Sequence, residues 1–258
     1  MSLNGGAQHG ALPARKPATP ASTVTRGLAE FGFLILLVIV LSFILKTFFI
    51  QSFYIPSTSM LPTLEENDRV IVTKLAPNIL DLHRGDIVVF HDPGGDTPGD
   101  PTDDWGTQGA DLPDRDGIGA FIHGVAQALG LAPQSSEEFL IKRVIGLPGD
   151  HITCEGNGAP LVINGAAIDE SFYIQPGSNP STQPFDVVVP DGAIWVMGDN
   201  RDGSWDSRFH QEQALKGAVS IDDVVGVAQV RSWPFSRFAL LKNPAKVFAT
   251  VGEPVAAT

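Results

Sequence analysis

Ile55-Pro56-Ser57-Thr58-Ser59-Met60-Leu61-Pro62-Thr63-Leu64 is the stretch on which the reading of this chain turns. It follows a long apolar run and precedes the first strand-like segment. Ser57 and Ser59 lie between Pro56 and Pro62. Proline fixes φ and removes a donor, so the backbone here is stiff. A serine nucleophile needs such a setting: a fixed Oγ, a nearby base, and N–H donors aimed at a developing oxyanion. The same residues also suit a plain turn between an apolar segment and a domain, since hydroxyl-rich loops are common. The stretch alone does not separate the two.

On its N-terminal side, residues 1–28 are rich in Gly, Ala, Pro, Ser and Thr and carry Arg15, Lys16 and Arg26, the composition of a disordered tail. Residues 29–50 are almost wholly apolar and match the roughly 20 residues that span a bilayer. Lys46 lies near the end of this run, where its stem can snorkel. Phe48, Phe49, Phe53 and Tyr54 are expected at the far interface. A cleaved signal peptide has a shorter apolar core and a small-x-small site directly after it. Bulky aromatics follow here, which favours a retained anchor. The basic residues before it predict a cytoplasmic N-terminus, with everything after about residue 51 outside.

At 258 residues the chain has room for that segment and one or two compact domains. Its net charge of -12 argues against a nucleic-acid surface, which needs clustered Lys and Arg. Cys154 is the sole cysteine, so no intramolecular disulfide forms, and it has no local signature of a nucleophile.

On the C-terminal side, β-branched runs bounded by turn residues predict strands at 68–75, 86–90, 138–150, 185–189, 193–197 and 224–230. Asn164-Gly165 between apolar runs predicts a tight hairpin over 161–168. Residues 92–137 are an acidic insertion. Up to about 116 it is Asp/Gly/Pro-rich, exposed and dispensable for chemistry by composition. Residues 118–129 suit a short helix carrying His123, a surface or packing residue. The expected fold is mainly β: an N-terminal transmembrane helix, then an antiparallel, barrel-like catalytic domain over 51–242. Residues 152–192 form a small β subdomain within it, and 243–258 a poorly anchored tail.

Two further stretches carry chemistry. Alternation places Leu140, Lys142 and Val144 on one strand face, and Ile141, Arg143 and Ile145 on the other. A strand lysine usually lies at a solvated edge. If Lys142 faces inward, burial disfavours its charge, and a neutral amine is a general base within the reach of serine chemistry. Gly198-Asp199-Asn200-Arg201-Asp202-Gly203-Ser204-Trp205-Asp206-Ser207-Arg208 packs carboxylates and guanidiniums into a loop that bidentate pairing can hold rigid. Ser204 could orient a nearby amine. Interleaved arginines and irregular spacing argue against a metal.

Taken in order, the anchor, the block 56–64, Arg84–Phe90, Lys142–Asp150 and Gly198–Arg208 resemble bacterial type I signal peptidases, membrane-anchored Ser-Lys proteases that remove signal peptides. The resemblance covers most of residues 30–235. It implies Ser59 as nucleophile and Lys142 as general base. It implies the Ser57 hydroxyl and the Ser59 N–H as the oxyanion hole, with Ser204 hydrogen-bonded to the lysine. It further implies Ile55, Met60 and Ile141 as substrate-binding residues, and Arg143, Asp199, Arg201, Asp206 and Arg208 as the structural loop. Expected substrates are secretory preproteins with small residues before the cleavage site. The lipid bilayer and the translocation machinery are the other partners, and neither nucleic acid, cofactor nor metal is implied. The family usually has Asn where Gly203 stands, and often a small residue at Trp205. Rival readings are a self-cleaving Ser-Lys protease of related fold and an inactive membrane-anchored scaffold.

Overall fold

The computed structural model describes residues 20–77, 79–94, 105 and 139–254. Of the tail expected over 1–28, residues 1–19 lie outside the described residues, as do the 118–129 helix with His123 and most of the insertion; residues 20–28 are helical, not a disordered tail. The chain divides into two units, Met1–Ser42 and Phe43–Thr258.

Helix α1 spans Pro20–Phe48, and from Phe31 to Leu41 its side chains are apolar and exposed. Among the described residues, no helix is long and apolar enough to cross a membrane.

The second unit is mainly antiparallel β. Its larger sheet contains β1 (Ile50–Tyr54), β2 (Arg69–Thr73), β3 (Ile87–His91), β4 (Phe139–Gly146), β9 (Ala193–Met197), β10 (Val219–Ser220) and β11 (Val224–Trp233). They run in the order β1-β2-β11-β3-β4-β9-β10, and β12 (Ala239–Leu240) pairs with β11. A smaller sheet has the order β7-β6-β5-β8, from β5 (His151–Cys154), β6 (Val162–Ile163), β7 (Ala166–Ala167) and β8 (Phe185–Val188). The strands expected from β-branched runs are all present. The Asn-Gly hairpin is β6–β7, with both Asn164 (φ 50) and Gly165 (φ 81) left-handed, as a two-residue turn of this kind requires.

β4 is an interior strand, buried on both faces. Leu140 and Val144 join Val88, Phe90, Ile194 and Val196 in one core. Ile141 joins Ile55, Met60, Leu64 and Val89 in another. Ile145 enters a third with Ile152, Ile163 and Trp195. Full burial of one such aliphatic side chain stabilises by about 1.5–3 kcal/mol, so β4 fixes the frame on which Lys142 sits.

Three expectations are corrected. Phe53 does not lie at a membrane interface: it is buried in β1, edge-on to Phe139 at 5.2 Å, because strand alternation turns it into the core. The C-terminal segment is not poorly anchored. Asn243 Nδ2 donates to Asp86 Oδ1 at 2.7 Å and to the Arg84 carbonyl at 3.0 Å. Phe248 is buried with Ile145 and Trp195, in a slot left open by Gly85 (φ +92), where a Cβ would meet the Phe248 ring at 3.0 Å. The insertion is not exposed throughout: Trp105 is 1% exposed, because its indole finds an aromatic slot formed by Phe90 and His210.

Candidate active site

The turn after β1 is held from both sides. Met60 and Leu64 are fully buried beneath it, and the Leu64 N–H donates to the Met60 carbonyl at 2.9 Å. Above it, the 198–208 loop grips the backbone. Asn200 N–H donates to the Ser59 carbonyl at 3.0 Å, and Asn200 Nδ2 to the Thr58 carbonyl at 3.2 Å. Gly198 makes this approach possible, since a Cβ there would lie 2.5 Å from the Ser59 carbonyl oxygen and 2.3 Å from Ser204 Oγ. Ser59 is buried, with its Oγ 3.3 Å from Ser57 Oγ.

Lys142 and Ser59 line one cleft of about 220 Å³. Ile55, Ile141 and Val89 form its aliphatic part, and Trp105 and Trp205 its aromatic part, with Ser57 and Gly203 also on its wall. Lys142 is not at a solvated edge, because β4 has β3 on one side and β9 on the other. Burial lowers its amine from 10.5 to about 8, partly opposed by the Asp206 carboxylate and assisted by Arg208. An amine poised there deprotonates readily enough to act as a base near neutral pH.

The paired charges of the loop are buried, while Asp202, Gly203 and Trp205 face solvent. Arg143 donates from Nε and Nη2 to the two oxygens of Asp199 at 2.7 and 2.6 Å, and from Nη1 to the Gly85 carbonyl at 2.7 Å. Arg201 grips both oxygens of Glu170 and the Gly198 and Pro180 carbonyls. Arg208 Nε donates to Asp206 Oδ1 at 2.8 Å, and the Gly198 N–H donates to Asp206 Oδ2 at 3.0 Å. Burial alone would raise the Asp206 carboxyl, but Arg208 and then Lys142 hold it below the usual range. The same competition, won by Asp199, leaves the Arg143 guanidinium raised. Each buried arginine of this network thus has its carboxylate, the condition under which buried ions are tolerated.

The structure therefore brings Ser57, Ser59, Lys142, Ile55 and Ile141 to one cleft. Met60 is fully buried below the turn and does not line the cleft, so it supports the turn from beneath. Ser204 is buried between the cleft-lining Gly203 and Trp205, and its Oγ has no hydrogen-bond partner. Cys154 is buried in the smaller sheet's core, its Sγ donating to the Ala159 carbonyl at 3.5 Å. Among the described residues, no cluster of His, Cys, Asp or Glu suits a metal.

Sequence reasoning missed four residues. Thr63 Oγ1 donates to Asp199, tying the turn to the loop. Glu170 anchors Arg201, and Tyr173 donates to Glu170 while its ring lies 4.4 Å from the Arg143 guanidinium. No pattern in the sequence marks Glu170 or Tyr173. Trp105 had one available signal: a lone large aromatic in a stretch poor in apolar residues is costly to leave in water.

The family model for signal peptidase, peptidase S26, matches residues 28–233. A signal peptidase I of Leptolyngbya laminosa is 37% identical over 239 residues, covering 90% of this chain and 94% of that protein. A signal peptidase I of Mycobacterium tuberculosis is 30% identical over 249 residues, covering 89% of this chain and 81% of that one. A crystal structure of a signal peptidase I from Enterococcus faecalis aligns at a TM-score of 0.33 and 24% identity, over 58% of this chain and 97% of that chain.

Proposed function

This chain belongs to the signal peptidase family, peptidase S26, and is a hydrolase that cleaves signal peptides from preproteins; on that footing we propose that it does so by a Ser59–Lys142 dyad through an acyl-enzyme. The observation that carries the reading is that Ser59 and a buried Lys142 with a lowered pKa share one cleft. Neutral Lys142 takes the proton of Ser59 Oγ as that oxygen bonds to the scissile carbonyl carbon. The carbonyl oxygen becomes an oxyanion, received by the Ser59 N–H and the Ser57 hydroxyl. The tetrahedral adduct collapses, the C–N bond breaks, and the ammonium of Lys142 protonates the leaving amine. Lys142 then takes a proton from the water that attacks the acyl ester, and as the ester C–O bond breaks it returns that proton to Ser59 Oγ, which restores the free serine and the neutral amine. Ser204 is buried beside this cleft, and its hydroxyl, committed to no other bond, is available to orient the amine once substrate is bound. Ile55 and Ile141 limit the cleft to small side chains.

The apolar, exposed run from Phe31 to Leu41, preceded by Arg15, Lys16 and Arg26, supports a retained single-pass anchor with the N-terminus inside and the catalytic part outside the cytoplasmic membrane. Trp233 and Phe235, both exposed, suit a position at a membrane interface. The preprotein would reach the site as it leaves the translocation machinery.

The test is incubation of the detergent-solubilised chain with a preprotein, alongside Ser59→Ala. Cleavage in trans that is lost in Ser59→Ala is the expected result. Cleavage of the chain itself alone would indicate a self-processing enzyme, no cleavage by the folded chain a scaffold, and full activity in Ser59→Ala would remove the dyad. Alkaline carbonate extraction tests the anchor, which should stay with the membrane pellet.

A further inference from the structure

On the reading that Lys142 is the general base, we infer that Trp105, contributed by the acidic insertion, is a positioning residue for that base: it clamps the loop carrying Asp206 against the β3–β4 pair and closes the Lys142 side of the cleft to water. Three contacts place it. Its ring stands edge-on to Phe90 of β3 at 6.2 Å and 82°. It stacks flat on His210 at 4.3 Å and 5°, and its Nε1 donates to Gln213 Oε1 at 3.2 Å. One indole therefore touches both the strands and the segment that follows Arg208.

Strand register says how near this is to the base. Phe90 pairs with Leu140 and Val88 with Lys142, so the pair under Trp105 and the pair holding Lys142 are successive same-face steps. That is a separation of about 7 Å along a strand, within the span of an indole. Trp105 shares a core with Val88, Phe90, Leu140 and Val144, and it lines the same cleft as Lys142. Removing the indole would open a channel for water on the face that bears the amine. It would also free the loop that presents Asp206. Water entry moves the amine toward its ordinary, charged state at neutral pH, while loosening the loop relaxes the opposed pulls of Asp206, which favours the charge, and Arg208, which disfavours it, so water sets the direction.

Among the described residues, the groups facing Lys142 are few. The loop presents Asp206 and Arg208, whose charges act on the amine in opposite directions, and His210 lies behind Trp105. Glu66 sits on the cleft wall, and Val88 opposite in β3 is apolar. None of these is altered by substituting Trp105, so a change in the titration of Lys142 reports on packing and water.

The experiment measures kcat/KM against pH on a short peptide for the wild type, Trp105→Ala and Trp105→Phe, with thermal midpoints alongside. In Trp105→Ala the alkaline rise should move up by about one pH unit, with a roughly tenfold loss at pH 7. Trp105→Phe should recover most of this, because a ring still fills the slot. Competitive labelling of the Lys142 amine across pH, in a Ser59→Ala background with and without Trp105→Ala, gives the same titration without using activity. An unmoved titration in a variant with a lower thermal midpoint would show a merely structural tryptophan and overturn the inference. If Trp105→Ala does not fold, Trp105→Leu takes its place in both measurements. A wild-type rate that ignores the titration of the amine would instead remove Lys142 as base, and the labelling distinguishes that failure from this one.

Discussion

Replacing Lys142 with methionine should abolish cleavage and make the protein more stable at neutral pH. The reason lies in the buried amine. Its folded value of about 8 lies below the ordinary 10.5, chiefly because burial disfavours the charge. The native state therefore holds its proton less tightly than the unfolded chain. Between about pH 8 and 10.5 the unfolded state binds more protons, so wild-type stability rises with pH across that window, and below it the cost of the buried charge is fully present. At about 1.36 kcal/mol per pH unit, this drop corresponds to about 3 kcal/mol. Methionine keeps the apolar stem and carries no charge, and the Asp206–Arg208 pair survives without the lysine. Urea unfolding of the two detergent-solubilised proteins, followed by tryptophan fluorescence, should show Lys142→Met ahead by about 2–3 kcal/mol at pH 7, with most of that lead gone by pH 10. Comparing the two proteins at each pH cancels the titration of every other group. A variant no more stable than wild type at pH 7, or one whose lead is the same at pH 10, would refute the argument that burial sets the state of this amine.

Other outcomes follow from single contacts. Ser204→Ala should leave stability within about 1 kcal/mol, since the hydroxyl gives up no hydrogen bond in the free protein, yet lower kcat about tenfold by removing the bond it offers the amine once substrate is bound; stopped-assay kinetics and urea melts read the two effects separately. Glu170→Ala strands the buried Arg201 guanidinium and should cost about 3–5 kcal/mol in a chemical melt, far more than any exposed acidic residue. Phe248→Ala should cost about 3–5 kcal/mol, and truncation after Lys242 at least as much, against the near-zero effect expected of a loose tail.

Much of the second unit was legible because strand alternation is a local signal. The runs at 68–75, 86–90 and 138–150 reveal β2, β3 and β4 directly, and Asn164-Gly165 encodes its own turn. Ser59 and Lys142, which line one cleft, were approachable for a related reason, as a stiff Pro-flanked turn and a lysine in an apolar strand are both locally anomalous. What stayed hidden depends on partners distant in sequence. Arg201 could have met any of 29 acidic residues, and nothing near Glu170 marks it as the one. Phe53 shows a different limit: it follows an apolar run so closely that hydropathy alone cannot separate a membrane interface from the first strand of a core. Trp105 is a single aromatic anchor in polar surroundings, and Phe248 lies in a short, interrupted apolar run with Val247 and Val251; averaging over a window removes both. Ser204 was placed correctly in its loop, but its hydroxyl has no bond, because hydrogen-bond geometry is decided at a scale no sequence pattern reaches.

The register between β3 and β4 has a further consequence for how this molecule tolerates change in length. His91 and Phe139 are directly paired, with rings 4.6 Å apart, so the chain that leaves the sheet at 91 re-enters it beside its point of departure. The excursion from Gly146 to Ala193 has the same property, since β4 and β9 are also neighbours. Each excursion is closed at its base, and its length is invisible to the strands that hold Lys142. Doubling such a loop adds only about 0.6 kcal/mol of closure entropy. These two points are thus natural graft sites: a reporter domain with neighbouring termini, spliced between 106 and 138 so that Trp105 is kept, should ride on the enzyme without disturbing its cleft.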